Sequence, residues 1–266
     1  MLGAIIGDIA GSRWEFNATN NYNFTLFSEF NDFTDDTICT VAIAEAILYN
    51  SDFGQALHKW CQQYPLPMGG YGMRFASWCR SDNPQPFNSY GNGAAMRVSA
   101  VAWAAKSFDE VVENAKRSAE CTHNHPEGIK GAQTTAIAIF DCAMLFAQKT
   151  EVNKQSIMQA LKRAIDFSNY DININRQSVI NIFDETCQGT VPVALWIISN
   201  SNSFEDAIRQ AVSLGADADT LAAIVGSIAE AIWGIPEDLK NSALKYLPQG
   251  MVAIIENFYN IFIAKP

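Results

Sequence analysis

The sequence has few basic residues. Lys and Arg together number 18 against 28 Asp and Glu, and the formal net charge is −10. Proteins that bind nucleic acid across a broad surface do so through clustered Lys and Arg, which displace counterions from the phosphates. The deficit therefore excludes an extended nucleic-acid surface. It also predicts that an anionic ligand is bound with help from a metal ion or from backbone dipoles.

Signals for export or membrane insertion are also missing. The N-terminal segment MLGAIIGDIAGS has no basic residue ahead of its apolar ones, carries Asp8 within them and is too short to span a bilayer. The six cysteines form no CxxC pair, which indicates buried thiols in a reducing compartment. We therefore expect a cytoplasmic protein that is not exported and has no contact with membranes.

Nothing in the sequence resembles a linker between domains. There is no Ser/Gly tract, no low-complexity segment, no block of like charge and no repeat of fixed period. A chain of 266 residues in which 48% of the side chains are apolar can bury a substantial core. We expect residues 1–266 to form a single domain, and we expect that domain to be a monomer.

Alternating strand patterns are absent, and the apolar residues recur at helical spacing, as in Ala42, Ile43, Ala46 and Ile47. The pattern predicts an all-α protein. Helices are expected near residues 3–12, 35–49, 52–63, 93–105, 107–120, 127–148, 153–168, 176–184, 190–199, 203–213, 218–233 and 240–261.

Two of these helices, 127–148 and 218–233, are rich in Ala and Gly and apolar around most of their circumference, which predicts a central, closely packed position. Gly234 and Pro236 are expected to end the second. Residues 64–92 combine prolines and glycines with aromatic residues, and we expect an ordered loop with a functional role.

Two acidic threonine motifs stand at the start of Ala-rich helices. "FTDDT" contains Asp35 and Asp36, and "GADADT" contains Asp217 and Asp219. Either motif alone is explained by helix capping, because Asp and Thr are preferred at helix N-termini. A cap uses only one side-chain oxygen, however, and the helices that follow are too apolar to lie on the surface.

Carboxylates that enter a protein interior need a counter-charge, and neither motif has a Lys or Arg within four residues. A divalent cation supplies it. All the proposed donors are oxygens, so a hard cation is indicated: Mg²⁺, with Mn²⁺ or Ca²⁺ as alternatives to it. Two converging helix N-termini could hold two ions, with Thr34, Asp35 and Asp36 on one side and Asp217, Asp219 and Thr220 on the other.

Two further acids precede the first motif. Glu15 lies between Trp14 and Phe16, and it is either an ordinary surface residue or a carboxyl whose apolar surroundings raise its pKa for acid/base chemistry. Asp8 lies inside an apolar helix and is hard to explain as exposed. Its role stays open between capping and support of the metal ligands.

A Gly-Asn-Gly turn runs directly into a helix at residues 89–93, "SYGNG". It is either a plain turn or a site where free backbone N–H groups face a phosphate. Two histidines, His123 and His125, precede another helix of small residues. Because no cysteine accompanies them, a ligand contact or a hydrogen bond at the helix start is favoured over metal ligation.

In this order along the chain, "GAIIGDIAGSRWEF", "FTDDT", "GYG", "SYGNGAAMRV", "THNHPEGIKGA" and "GADADTLAAIVGSIAEA" resemble the ADP-ribosylglycohydrolase family, and the resemblance spans almost the whole sequence. It implies an all-α orthogonal helical bundle with a central metal cleft. It also implies a binuclear Mg²⁺ or Mn²⁺ centre that hydrolyses the bond between ADP-ribose and an acceptor, which is a protein side chain or a small molecule.

Carried onto this chain, the resemblance assigns residues to three roles. Metal ligation falls to Thr34, Asp35, Asp36, Asp217, Asp219 and Thr220. Substrate binding falls to Tyr71, Gly72, Ser89, Tyr90, Gly91, Asn92, Gly93 and His123. Glu15 matches an acidic residue at the distal ribose, so Glu15 and Asp36 are the candidate catalytic residues.

Where the family commonly has Gly-Gly before its second acidic motif, this chain has Gly215 and Ala216. Residues 17–33 are expected to border the acceptor side of the cleft, and the sequence does not name the acceptor. Two other functions stay open: an inactive ADP-ribose-binding protein, and a Mg²⁺-dependent phosphohydrolase that cuts the diphosphate.

Overall fold

The structure is a computed structural model and describes residues 1–263, apart from the side chain of Phe146. Within these residues the chain is helical and contains no β-strand, which confirms the all-α prediction. The α-helices are α1 (Leu2–Ser12), α2 (Asp35–Leu48), α3 (Phe53–Gln63), α4 (Met73–Cys79), α5 (Gly93–Met96), α6 (Ser99–Ala104), α7 (Phe108–Glu120), α8 (Pro126–Ala147), α9 (Lys154–Ser168), α10 (Cys187–Asn200), α11 (Phe204–Val212), α12 (Ala218–Trp233), α13 (Glu237–Ala243) and α14 (Gln249–Phe258).

At the centre of the fold, α1 packs against α12 at very short range. A Cβ atom added at Gly7 would overlap the backbone carbonyl of Ala222, and one at Gly3 would overlap the carbonyl of Gly226. Glycine is therefore required where the two backbones approach each other most closely. Every residue of α1 is buried, as is every residue of α12 before Trp233, and this confirms the central position predicted for 218–233.

The ends of the two motif helices follow local sequence rules. Thr34 is the N-cap of α2, and its hydroxyl accepts a hydrogen bond from the backbone N–H of Asp36 at 3.2 Å. Gly234 ends α12 with φ of 68° and donates its N–H to the carbonyl of Glu230. The caps fix where each helix begins and ends, and so they fix where the acidic side chains lie.

Several expected helices were wrong in extent. The single helix at 93–105 is two short helices, α5 and α6, separated where the Arg97 side chain turns into the interior. The helix at 176–184 is only a 3₁₀ turn, Arg176–Ser178, since Asn181 adopts a φ of 59°. The helix at 240–261 is interrupted by Pro248, which precedes α14.

Two other differences add helix that was not expected. The segment 64–92, expected to be loop, contains α4, whose Phe75 and Trp78 are buried. The helix expected at 190–199 begins earlier, at Cys187, with Thr186 as its N-cap, and it continues through Pro192. A proline inside a helix is a weak stop signal when the surrounding residues are buried, because tertiary packing offsets the lost hydrogen bond.

Buried apolar side chains from α1 through α14 form one continuous core. The prediction of one domain over residues 1–266 stays a prediction, and residues 264–266 lie outside the part described. All six cysteines are free thiols, and five of them are buried, as expected. Within residues 1–263, no helix combines the length and the apolar character needed to cross a bilayer.

Candidate active site

A cleft of about 550 Å³ opens between the start of α2, the start of α12 and the glycine loop, which we define as residues 89–93. Most of the predicted site residues line it. They are Glu15, Asp35, Asp36, Tyr71, Gly72, Ser89, Gly91, Asn92, Gly93, His123, Asp217, Asp219 and Thr220.

Two predicted residues are not among the lining. Thr34 is fully buried behind the cleft, where its hydroxyl donates to Asp8 at 2.8 Å. Tyr90 is 45% exposed, and its ring lies 5.2 Å from that of His125. Thr34 thus shapes the start of α2, while Tyr90 offers an exposed aromatic face beside the glycine loop.

The two acidic motifs meet across the cleft, although about 180 residues separate them. The hydroxyl of Thr220 donates to Oδ1 of Asp36 at 3.4 Å, which places the first turns of α2 and α12 side by side. Asp36 is 3% exposed and Asp219 is 2% exposed. The packing of two buried helices therefore gathers carboxylates in one place.

Glu15 joins the second motif. Its carboxylate and those of Asp217 and Asp219 offer ligand atoms that all lie within 4.8 Å of one another. Gly69 lies against the other side of Glu15, with φ of 75°, and a Cβ there would overlap Oε2 of Glu15. Sequence reasoning placed Glu15 at the ribose, and the structure brings it into the group of carboxylates that could hold a metal.

Burial and the charges of neighbouring carboxylates raise the pKa values of the acidic residues in the cleft. Burial, followed by the charge of Asp217, raises the pKa of Glu15 to about 8. Burial raises the pKa of Asp35 to about 8, with smaller contributions from Asp8 and Asp217. Asp36 and Asp219 have pKa values well above the usual range for the same reason, burial first.

Within residues 1–263, three buried carboxylate oxygens have no hydrogen-bond partner: Oε2 of Glu15, Oδ2 of Asp36 and Oδ1 of Asp219. An unpaired buried carboxylate is costly, so these oxygens point to a ligand that carries positive charge. The donors are all oxygens, which suits a hard divalent cation. The residues present therefore fit the metal that the sequence implied.

Asp8 connects α1 to the start of α2. Its carboxylate accepts hydrogen bonds from the backbone N–H groups of Thr34 and Thr37, at 3.1 and 3.0 Å, and from both threonine hydroxyls. Burial raises the pKa of Asp8 to about 6, and the hydrogen bonds from Thr37 and Thr34 oppose the rise. Asp8 therefore holds the "TDDT" turn in place.

The glycine loop is fixed from two directions. The side-chain amide of Asn92 donates to Oδ2 of Asp217 at 2.7 Å and to the hydroxyl of Thr190 at 3.1 Å. Its backbone N–H donates to the carbonyl of Glu185. The helix behind the loop, α5, is only one turn long, so the dipole of a long helix does not act here. The backbone N–H of Gly91 donates to the hydroxyl of Ser89 at 3.1 Å, so the N–H groups of Gly91 and Asn92 are both engaged within the protein.

The two histidines differ in role. Nδ1 of His125 accepts a hydrogen bond from the backbone N–H of Glu127, the hydrogen bond at a helix start that the sequence favoured. His123 is buried at the wall of the cleft, beside the glycine loop. Burial, and then the charges of Arg97 and Arg74, lowers the pKa of His123 well below its usual range. His123 is therefore a neutral imidazole.

Three charged residues of the cleft were missed by sequence reasoning: Arg74, Arg97 and Glu185. Arg97 lies four residues after the glycine loop in "GNGAAMRV", and a charged residue inside that apolar stretch was the available signal. Arg74 and Glu185 carried no comparable signal, since each lies in a polar or mixed segment.

The sequence profile of the ADP-ribosylglycohydrolase family matches residues 1–263. This chain belongs to the ADP-ribosylglycohydrolase family. Membership makes it a hydrolase that acts on ADP-ribosylated substrates, and it explains why carboxylates gather at the cleft.

Relatives of this ADP-ribosylglycohydrolase agree with the assignment. The chain is 26% identical to ADP-ribosylhydrolase ARH3 of Mus musculus, over 91% of this chain and 85% of that protein. It is 25% identical to ADP-ribosylarginine hydrolase Tri1 of Pseudomonas putida, over 88% of this chain and 70% of that protein. Among solved structures, a chain of an ADP-ribosylglycohydrolase-related protein complex matches with a TM-score of 0.70 at 21% identity, covering 98% of this chain and 96% of that one. The last match supports the fold alone.

Proposed function

We propose that this protein is a Mg²⁺-dependent hydrolase that cleaves the glycosidic bond between ADP-ribose and an acceptor and so reverses ADP-ribosylation. The acceptor is a protein side chain or a small molecule. The observation that carries the proposal is the set of unpaired carboxylate oxygens on Glu15, Asp36 and Asp219 at one cleft.

Two Mg²⁺ ions, with Mn²⁺ as the alternative, are the proposed cofactors. Their ligands would come from Asp35, Asp36, Asp217, Asp219 and Thr220, and the position of Glu15 supports adding it. Thr34 stays in the predicted set, although its hydroxyl lies behind the cleft on Asp8. When bound, the ions would offset the carboxylate charge and polarise the ribose hydroxyls that they contact. The chain itself supplies the remaining groups of the site.

ADP-ribose is an anion, and the cleft offers its positive and polar groups at one end. The glycine loop lines the cleft with the neutral ring of His123 beside it, and we assign the diphosphate to this place. Tyr90 is the exposed aromatic of the loop and is the proposed stacking partner of adenine. With adenine at Tyr90 and the diphosphate at the glycine loop, the distal ribose extends toward the carboxylates.

Cleavage requires one group to orient a water molecule and another to protonate the leaving acceptor. Glu15 and Asp36 both line the cleft and each has an unpaired oxygen, so they are the proposed pair. The carboxylate charge around the anomeric carbon stabilises the positive charge that develops there as the bond breaks.

The test is a panel of substrates incubated with Mg²⁺ and analysed by mass spectrometry. It contains peptides ADP-ribosylated on arginine or serine, an ADP-ribosylated nucleobase and O-acetyl-ADP-ribose. We expect ADP-ribose from at least one of them and none when EDTA is present. Product in EDTA would overturn the metal requirement, AMP would indicate diphosphate cleavage, and no product from any substrate would favour an inactive ADP-ribose-binding protein.

We further propose that the protein acts as a monomer in the cytoplasm. The free, mostly buried cysteines support a reducing compartment. Size-exclusion chromatography with light scattering tests the oligomeric state.

A further inference from the structure

Arg97 is unusual for a charged residue because its side chain is buried. Its side chain is 1% exposed, and within residues 1–263 it forms no salt bridge. Its Nε has no hydrogen-bond partner. A buried guanidinium without a carboxylate partner is unfavourable for folding, so packing alone does not explain its presence.

The contacts that Arg97 does make lead toward the cleft. Its Nη2 donates to the carbonyl of Ser118 at 3.1 Å and to the hydroxyl of Thr122 at 2.7 Å. The same hydroxyl lies 2.7 Å from Nδ1 of His123. Arg97, Thr122 and His123 therefore form a hydrogen-bonded chain along the wall of the cleft, with Arg97 and His123 both lining it.

The direction of the hydrogen bonds follows from the number of protons available. A threonine hydroxyl has one proton, and here it already accepts from Arg97. Its two possible acceptors are Nδ1 of His123 at 2.7 Å and the carbonyl of Ala119 at 3.4 Å. The shorter contact favours donation to Nδ1, and the adjacent guanidinium makes the hydroxyl a better donor.

The other nitrogen of His123 faces the glycine loop. A Cβ atom at Gly93 would lie 3.1 Å from Nε2, and one at Gly91 would lie 3.5 Å from it. When Nδ1 accepts, a neutral ring carries its proton on Nε2. That N–H is then available at the loop to which the diphosphate was assigned.

We propose that Arg97 and Thr122 are positioning residues that hold His123 in the tautomer protonated on Nε2, so that this N–H donates to a phosphate oxygen of the ligand. The ligand contact rests on the proposed function, whereas the tautomer does not. In this arrangement the positive charge of Arg97 acts on His123 through Thr122.

The tautomer is measured by long-range ¹H–¹⁵N NMR on the ¹⁵N-labelled full chain without ligand. The chain has three histidines, which are assigned through His58→Gln and His125→Gln. His58 is an internal reference, because its Nε2 lies 2.9 Å from the carbonyl of Ser81 and so carries the proton. We expect His123 to show the same pattern, and a proton on Nδ1 would overturn the inference.

Thr122→Val removes the hydroxyl and keeps the shape. We expect a mixture of both tautomers at His123 and about three- to tenfold weaker binding of ADP-ribose, the loss of one ordered hydrogen bond. Thr122→Ser should restore both. Thr134→Val is the matched control, because Thr134 is equally buried and its hydroxyl donates to the carbonyl of Lys130. An unchanged His123 signal in a folded Thr122→Val protein would overturn the inference.

Arg97→Met tests the far end of the hydrogen-bonded chain, and Arg97→Lys is measured in its place if the Met variant does not fold. Both lose the contact with Thr122, so both should show the mixed tautomers. A wild-type spectrum in either variant would remove Arg97 from the inference. A protein that shows the expected tautomer and binds ADP-ribose, yet releases ADP-ribose from no substrate, separates the two proposals. That result would overturn the proposed function and leave the inference about the tautomer intact.

Discussion

The side-chain amide of Asn92 donates to Oδ2 of Asp217 at 2.7 Å, across 125 residues of chain. This contact ties the glycine loop to the carboxylates of the second acidic motif. It also opposes the rise that burial causes in the pKa of Asp217, which stands at about 6. The contact therefore fixes the glycine loop relative to Asp217 and also affects the protonation of Asp217.

The first prediction concerns this contact. Asn92→Ala should weaken Mg²⁺ binding at least about tenfold, because a hydrogen bond to a charged group contributes about 1.5–3 kcal/mol and its loss leaves Asp217 more strongly protonated. Isothermal titration calorimetry with MgCl₂ at pH 7 measures it. Asn88→Gly is a control, since Asn88 is exposed, donates through its backbone and has a φ of 54°, which glycine adopts without strain. Equal affinities in the two variants would contradict the prediction.

Asp219→Asn should abolish release of ADP-ribose while leaving the metal-free protein at least as stable as the wild type. The substitution keeps the shape of a buried side chain and removes a charge that like-charged neighbours disfavour. Turnover and the melting temperature in EDTA are measured together. A large drop in melting temperature would show that Asp219 has a structural role in the absence of metal.

The metal-free protein should lose stability as the pH rises from about 4 to about 8. Glu15 and Asp35 have folded-state pKa values raised to about 8, against about 4 in the unfolded chain. Groups of this kind contribute stability that is complete below the unfolded pKa and lost as the pH passes through the folded pKa. Mg²⁺ should therefore raise the melting temperature more at pH 8 than at pH 5.

The pH series is run by differential scanning fluorimetry in EDTA and in Mg²⁺. The double variant Glu15→Gln, Asp35→Asn is its control, and its metal-free melting temperature should vary less with pH. A wild-type protein whose melting temperature rises between pH 5 and pH 8 without metal would show that other groups dominate.

Glu15→Gln should bind ADP-ribose with an affinity within about threefold of the wild type and turn over slowly, by about 10²-fold or more, because it keeps the shape and removes the proton-transferring group. Binding by calorimetry and turnover by mass spectrometry separate the two effects. Full activity in this variant would assign the acid/base role to Asp36 and leave Glu15 only as a proposed metal ligand.

Gly7→Ala should destabilise the fold by about 2 kcal/mol or more, because the added methyl group overlaps the backbone of α12. Gly250→Ala is the matched control, since Gly250 lies in α14 and no atom of the described residues 1–263 is within 4 Å of an added Cβ. The control should be neutral or slightly stabilising, as alanine favours helix. Chemical denaturation of both variants in EDTA measures the difference.

Much of this fold follows from local rules that the sequence displays. Thr34 and Gly234 mark a helix start and a helix end by side-chain and backbone chemistry alone. Where the expectations were wrong, as at 93–105 and 176–184, a tertiary contact or a left-handed residue overrode the local pattern. The acidic motifs were visible because two carboxylates at a buried helix start exceed what one cap needs.

The sequence by itself determined that this is an all-α chain with two oxygen-rich motifs and too little positive charge to bind an anion unaided. Only the tertiary structure decided that Glu15 stands with Asp217 and Asp219, and that Arg97 is joined through Thr122 to His123. The reason is physical. These contacts exist because α1 and α12 pack backbone to backbone and α5 ends where Arg97 enters the core, and no local pattern encodes distances between elements far apart in the chain.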